Sequence, residues 1–454
     1  MPPTISTACA TTPNDGMHRN PPLKLAKRQA PKPAFCCPIC RIADPLRRYS
    51  MSVDAPAARR PYVGPAVLLT LTQTMISWAV FAPPVIAKQA LPDMGLEPIW
   101  IGAQPTIVFI LAMLVGVLAS SWVARINPMR ATQLFVLFAV IGSILIAFGS
   151  IILVVLGSAF IGAALGPSTP ASSHLLGRVT PARLQPLVFS IRQSGVAFGG
   201  VLAGFATPLL TELWDWQTSM LFVAAAGALT IAIVEVWVRG YRVYADTTIE
   251  RRMEIFGPIR DVLSIPSLRW LTIGIVPMVI SQYGLTTFLV LYLQEDIGLS
   301  VITAGWVLGT ALASGGIGRI VFGMIAGRYL PPLTVLLGLT TLSALGSILT
   351  ATLTGAWPLA LIYLIGILYG AGAAGWNGVF LAEVARLSPP GSISRITGGS
   401  GVFIFAGIVV GPAALALLIK QTSFPAAYLV LAALLGISIF AFAKTRAIIK
   451  AQTA

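Results

Sequence analysis

Residues 186–210 read PLVFSIRQSGVAFGGVLAGFATPLL. A stretch this long and this apolar can cross a bilayer as a helix. Yet it carries Arg192 and Gln193 about two turns in, and it is notched by Gly195, Gly199, Gly200 and Gly204. An arginine facing lipid at that depth costs at least about 3 kcal/mol, so Arg192 is expected to point into a protein interior or a water-filled cavity. The glycines form a smooth face along which another helix can pack closely. A charge aimed inward beside a close-packing seam is what a permeation pathway needs, and the rest of the chain reads as the container around it.

The composition agrees. Of 454 residues, 56% are apolar and only 10% charged, far from an average soluble domain. Apolar runs near the length of a membrane span recur along the chain, and they lack the polar face of a soluble core helix. This is an all-α polytopic membrane protein embedded in the lipid bilayer. The net charge of +15 does not indicate nucleic-acid binding, because the basic residues sit between apolar spans rather than in a stripe interleaved with aromatics. Cys9, Cys36, Cys37 and Cys40 all precede the first span. Cys37 and Cys40 have redox or half-zinc spacing, but His18 is the only histidine near them, so no metal site is expected. Phosphate-binding loops and paired carboxylates within a span are also missing from the sequence. No cofactor, catalytic residue or enzymatic activity is expected.

Twelve spans are predicted, near 64–87, 99–120, 131–148, 151–172, 186–210, 217–238, 269–293, 300–325, 332–353, 357–380, 397–418 and 424–443. Residues 1–62 form a basic tail expected to be disordered, and Met51 opens a polar leader that makes it a candidate true start. Residues 63–238 and 269–443 are then two six-helix bundles, joined by a polar connection over 239–268 and followed by a tail over 444–454. Of the 20 basic residues after position 62, sixteen fall in loops after even-numbered spans or in the tail, and two (Lys88 and Lys420) after odd-numbered ones. The remaining two, Arg192 and Arg319, lie inside spans. By the positive-inside rule both termini are cytoplasmic, in a cytoplasmic (inner) membrane.

The halves repeat one another. Gly177-Arg178-Val179-Thr180-Pro181 matches Ala385-Arg386-Leu387-Ser388-Pro389, Ser194-Gly195-Val196 matches Ser400-Gly401-Val402, and Thr207-Pro208 matches Gly411-Pro412. Parallel six-helix repeats characterise one large transporter class. Three stretches carry a closer resemblance. Leu165-Gly-Pro-Ser-Thr-Pro-Ala-Ser-Ser-His174 with the following FSIRQSGVAFGG, Gly318-Arg319 through Gly327-Arg328, and Gly375-Trp376-Asn377-Gly378 through Glu383 and Arg386 are similar to the major facilitator superfamily. Within it they resemble a bacterial branch of uncharacterised members related to carriers of cyanate and small organic anions. The resemblance spans about 60–450 and implies two pseudo-symmetric bundles that work by alternating access. The chain departs from the family at three points. Ser120 and Gly327 stand where an acidic latch residue is usual, which weakens the acid–arginine latch in both halves. Ala197 stands where the branch has proline.

Arg192 is the leading solute-binding candidate, because a cation in a low-dielectric cavity attracts an anion strongly. The alternative is a structural arginine bonded to carbonyls or snorkelling to the interface. Gln193 shares its neighbourhood. Gln73, Gln282 and Tyr283 fall near mid-membrane in the first span of each half, and Trp376 and Asn377 lie on the glycine-rich tenth span. All are candidates for lining the path, as are Trp78, Gln104 and Tyr369, though each could equally bond a neighbouring helix. Arg319, Arg328, Glu383 and Arg386 are candidates for a cytoplasmic gate, a static surface pair being the alternative. Mid-span carboxylates are missing: Glu235 and Glu383 lie near the cytoplasmic edge. Protons are therefore a candidate coupling ion only through Glu383 or His174, and uniport or anion exchange fits as well.

The expectation is a monomeric secondary or facilitative transporter of a small solute, with an organic anion leading. The rivals are an efflux carrier for amphipathic compounds and a transport-like sensor, which would need a larger cytoplasmic domain.

Overall fold

The protein is described by a computed structural model over residues 62–96, 103–120, 123–238 and 256–453. The four cysteines, the basic tail and residues 239–255 of the connection lie outside the described residues. A chain in lipid must satisfy its backbone internally, and the described residues do so as helices. These are α1 (Val63–Asp93), α2 (Ala103–Ser120), α3 (Pro128–Ala147), α4 (Ile151–Val179), α5 (Gln185–Leu213), α6 (Trp216–Val238), α7 (Phe256–Ser264), α8 (Pro266–Glu295), α9 (Val301–Arg328), α10 (Pro332–Ala351), α11 (Leu359–Ala374), α12 (Asn377–Leu387), α13 (Ile393–Gln421) and α14 (Phe424–Thr453). Starts follow local chemistry. Asn127 caps α3 by accepting the Met129 N–H, Ser300 caps α9 through Thr303, and prolines open α5, α8 and α10.

Eleven helical segments are long and apolar enough to cross a membrane, with α11 and α12 counting as one, and the shorter apolar α2 makes the twelfth span. The expected tail at 444–454 is instead a continuation of α14, and part of the expected connection is the short helix α7. The repeat is sharper in structure than in sequence. Ile151–Val179 (α4) begins and ends 208 residues before Leu359–Leu387 (α11 with α12), and Gln185–Leu213 (α5) stands in the same register to Ile393–Gln421 (α13). Both α5 and α13 stop at a residue of nearly identical backbone angles, Trp214 and Thr422. In this register Pro208 and Pro412 sit one turn apart rather than opposite each other.

Within each half, glycines bring helices to backbone contact. A side chain on Gly199 of α5 would come within 2.5–2.7 Å of Ser77, the Thr74 carbonyl and the Trp78 amide on α1. Gly162 does the same against Val108 and Leu111 of α2, and Gly315 of α9 against Gly370 of α11. Gly199→Leu is expected to cost more than about 3 kcal/mol, since backbone cannot yield as a side chain can. It should abolish recovery of monodisperse protein on gel filtration, while Gly204→Leu, with nothing within 4 Å, is recovered normally.

Between the halves, the closest backbone approaches lie toward the end where α1 begins and α14 finishes, here the basic end. There α2 meets α13: Ser394 Oγ donates to the Ser120 carbonyl at 2.8 Å, and Gly398 lies against Ser120 and Gly116. On the opposite side of the molecule α5 meets α9 and α12, with Gly323 and Gly378 both packed on Ser190. Gly327, at φ +84°, approaches the Arg183 carbonyl. No Cβ fits comfortably there, and that φ suits glycine. The α5–α9 seam then opens like a wedge. At successive seven-residue steps, two turns on one helix face, Ser190 abuts Gly323 and Ala197 lies 3.9 Å from a side chain placed on Gly316. At Gly204 and Gly309 a side chain would meet nothing. Helix α7 packs on the basic end of α13, its Pro258 carbonyl against Gly399 and its Asp261 paired with Arg395.

Candidate functional site

Above the closed end the wedge holds a cavity of about 130 Å³, lined by both halves. Its polar wall contains Gln73, Ser77, Thr169, Gln193, Gln282, Tyr283, Arg319, Trp376, Asn377 and Thr397. Among the described residues its lining includes no aspartate, glutamate or histidine.

The hydrogen bonds fix which way this wall faces. Arg192 is 2% exposed and lies behind the wall rather than in it. Its Nη2 donates to Gln73 Oε1 at 2.6 Å, and its Nη1 donates to Gln193 Oε1 and, at 3.2 Å, to Thr169 Oγ1. Ser168 also donates to Gln73 Oε1, at 3.3 Å. In the other half, the Trp376 indole N–H donates to Gln282 Oε1 at 3.1 Å. Guanidinium and indole groups can only donate, so each of these three glutamines has its carbonyl oxygen tied back into the protein. Each therefore turns its NH₂ the other way. Gln73 passes one N–H to Ser77 Oγ at 3.0 Å, and Gln193 and Gln282 present theirs to the cavity.

Arg319 adds a guanidinium to the same wall. Its Nε donates to the Ala374 carbonyl at 2.9 Å, and its Nη1 reaches across the halves to the Gln193 carbonyl at 3.1 Å. No carboxylate among the described residues pairs with Arg192 or Arg319. One side of the cavity thus presents N–H donors, with the two guanidinium charges of Arg192 and Arg319 in and behind it. Such a wall suits an acceptor-rich, negatively charged guest.

Six of the seven candidate binding residues (Gln73, Gln193, Gln282, Tyr283, Trp376 and Asn377) line the cavity, and Arg192 orients two of them from behind. The four gate candidates do not assemble. Glu383 is fully buried and paired with Arg386 one turn along α12, at 2.5 and 2.8 Å. Arg328 lies 5.2 Å from the Tyr329 ring, and Arg319 belongs to the cavity. Trp78 bonds Thr207, Tyr369 bonds Ser281 in the C-terminal half, and Gln104 lines a separate small cavity, so none of the three faces the path. His174 is buried away from the cavity wall, and Glu235 pairs with Arg130 at the basic end.

Sequence reasoning missed the apolar wall: Phe109 and Met113 of α2, and Ile404, Phe405 and Ile408 of α13. Aromatic and branched residues inside a span look alike whether they meet lipid, core or cavity.

Trp376→Phe keeps the ring and removes the N–H that pins Gln282. The amide is then free to turn its carbonyl into the cavity, and affinity for the bound solute is expected to fall about 10-fold, the worth of one well-placed hydrogen bond. Calorimetric titration of the variant against wild type checks this.

A sequence profile described as Major Facilitator Superfamily matches residues 65–384. Among curated proteins, the purine ribonucleoside efflux pump NepI of Escherichia coli (strain 536) is 26% identical over 152 residues, 33% of this chain and 38% of that protein. Its Shigella sonnei counterpart is 25% identical over the same length. The match thus spans well under half of these relatives. Among solved structures, the E. coli fucose:proton symporter FucP superposes with a TM-score of 0.67 at 15% identity, covering 85% of this chain and 99% of that one. A bacterial homologue of the iron transporter ferroportin in its outward-facing state gives 0.68 at 17%, over 84% and 99%. The human organic anion transporter MFSD10 gives 0.66 at 14%, over 86% and 100%. At these identities the superpositions speak for the fold alone.

Proposed function

The chain belongs to the Major Facilitator Superfamily, and on that premise we propose that it carries a small organic anion across the cytoplasmic membrane by alternating access. It is a transporter rather than an enzyme, and its partners are the bilayer and a small solute. The observation that carries the anion reading is the set of three glutamines whose carbonyls are held by Arg192 and Trp376, leaving N–H groups and Arg319 to face the guest.

With the termini cytoplasmic, as the loop charges favour, the closed basic end is the cytosolic gate and the wedge opens outward. The gate is then made of small residues: Ser120 with Gly398, and Ser190 with Gly323 and Gly378. Arg319 ties the site to the opposite half through the Gln193 carbonyl. Glu383 and Arg386 brace α12, and Arg328 contributes charge to the cytosolic rim. Since the cavity wall bears no acid or imidazole among the described residues, any proton that accompanies the anion rides on the solute itself. The protein works as a monomer, each copy holding a complete cavity.

The test is the heat stability of the purified protein against carboxylates, sugars, inosine and cationic amphiphiles. A ligand at 100 times its Kd should stabilise by about 2.7 kcal/mol. Stabilisation by carboxylates and not by the neutral or cationic compounds is expected. Stabilisation by inosine alone would favour the second reading, a nucleoside exporter, which the partial likeness to NepI supports.

A further inference from the structure

The cavity has two unlike walls. The α5–α9 side carries the donors, with Gln193 and Arg319 joined across the halves and Gln73 and Gln282 beside them. The α2–α13 side is apolar, with Phe109, Met113, Ile404, Phe405 and Ile408. The two sides are opposite edges of the same space, since α2 packs on α13 and α5 packs on α9. Three of the rings form one cluster: Phe109 lies 6.2 Å from Tyr283, edge to face, and 6.3 Å from Phe405.

We propose that the solute is an amphipathic carboxylate bearing an aromatic ring, seated with its carboxylate on the α5–α9 donors and its ring against Phe109 and Phe405. This rests on the anion reading above and narrows it. A small hydrophilic anion would leave the apolar wall wetted, while a neutral arene would offer no acceptor to the amide N–H groups of Gln193 and Gln282. Aromatic guests pair edge to face or offset with neighbouring rings at the spacing seen within this cluster. An arene carboxylate satisfies both walls at once.

The experiment is a calorimetric titration of the purified full-length protein with a matched trio, 3-phenylpropionate, propionate and 3-phenylpropanol, repeated on Phe405→Ala. The ring should add about 10-fold or more in affinity over propionate, the value of burying one aromatic side group, and 3-phenylpropanol should bind at least about 10-fold more weakly than the acid, lacking the charge-assisted bonds. Phe405→Ala should lower affinity for 3-phenylpropionate about 10-fold more than it lowers affinity for propionate. Equal binding of propionate and 3-phenylpropionate would overturn the aromatic assignment and leave the anion reading standing. Equal binding of the alcohol and the acid would overturn the anion reading itself. Failure of all three to bind wild type would overturn the proposal, provided the protein is folded by its melting transition.

Discussion

Arg192→Met should abolish transport while leaving a protein that folds and melts close to wild type. The guanidinium is 2% exposed, has no carboxylate partner, and its Nε has no hydrogen-bond partner. Burying a charge this way is costly. Replacing it with an apolar chain of similar reach relieves that cost and offsets the loss of its bonds to neutral partners. What disappears is the orientation of Gln73 and Gln193, whose carbonyls it holds. Freed, each amide can present either end to the cavity, and the background positive charge is lost as well. Two hydrogen bonds misdirected, each worth about 1.5 kcal/mol when a charge is involved, predict a fall in affinity of at least about 100-fold. Arg192→Lys keeps the charge but not the fork that serves two acceptors, so it should retain part of the activity. Uptake into proteoliposomes measured beside the melting temperature separates this positioning role from a structural one, which would lower both together.

Gly378→Val should shift the resting protein toward the opposite state, open at the basic end. In the present arrangement its side chain would run into the backbone of Ser190, which a rotamer change cannot relieve. Once α5 and α12 part, the conflict vanishes. A bias of about 5.5 kcal/mol moves an equilibrium from 1:99 to 99:1, and a backbone clash of this kind supplies several kcal/mol. Gly309→Leu should act the other way. Its side chain meets nothing here, but it stands two turns from Gly316 on the face that approaches α5, so it would obstruct closure at the far end. With cysteines 9, 36, 37 and 40 changed to serine, Val196→Cys in the cavity wall reports access. In Gly378→Val it should react with a membrane-impermeant thiol reagent from the basic side, and in Gly309→Leu only from the opposite side. Transport should fall more than about 10-fold in both.

The membrane class, the spans and the paired halves were legible in the sequence because the bilayer imposes them. Long apolar runs, charge in alternate loops and a recurring Gly-Arg-Val-Thr-Pro element are one-dimensional signals. The inward direction of Arg192 was legible too, since lipid would exclude it. Its place behind the wall was not, because that depends on which of several facing oxygens the guanidinium meets. Arg319 shows the same limit: its sequence position suggested a gate at the helix end, but the helix breaks at Ala326 and Gly327 before Arg328, and Arg319 lies inside it at the level of Gln193. The missing acids at Ser120 and Gly327 read as a weakened latch. In three dimensions those small residues let backbones touch, which closes the same end by packing instead of charge.

The most direct test is a pair of distances followed together by spin-label spectroscopy, one across the basic end between Arg183 and Tyr329, the other across the opposite end between Leu209 and Trp306. Titration with 3-phenylpropionate should populate a second state in which the first distance lengthens as the second shortens. Two distances that stay fixed under saturating ligand, or that lengthen together, would contradict a carrier whose halves exchange access to one donor-lined cavity.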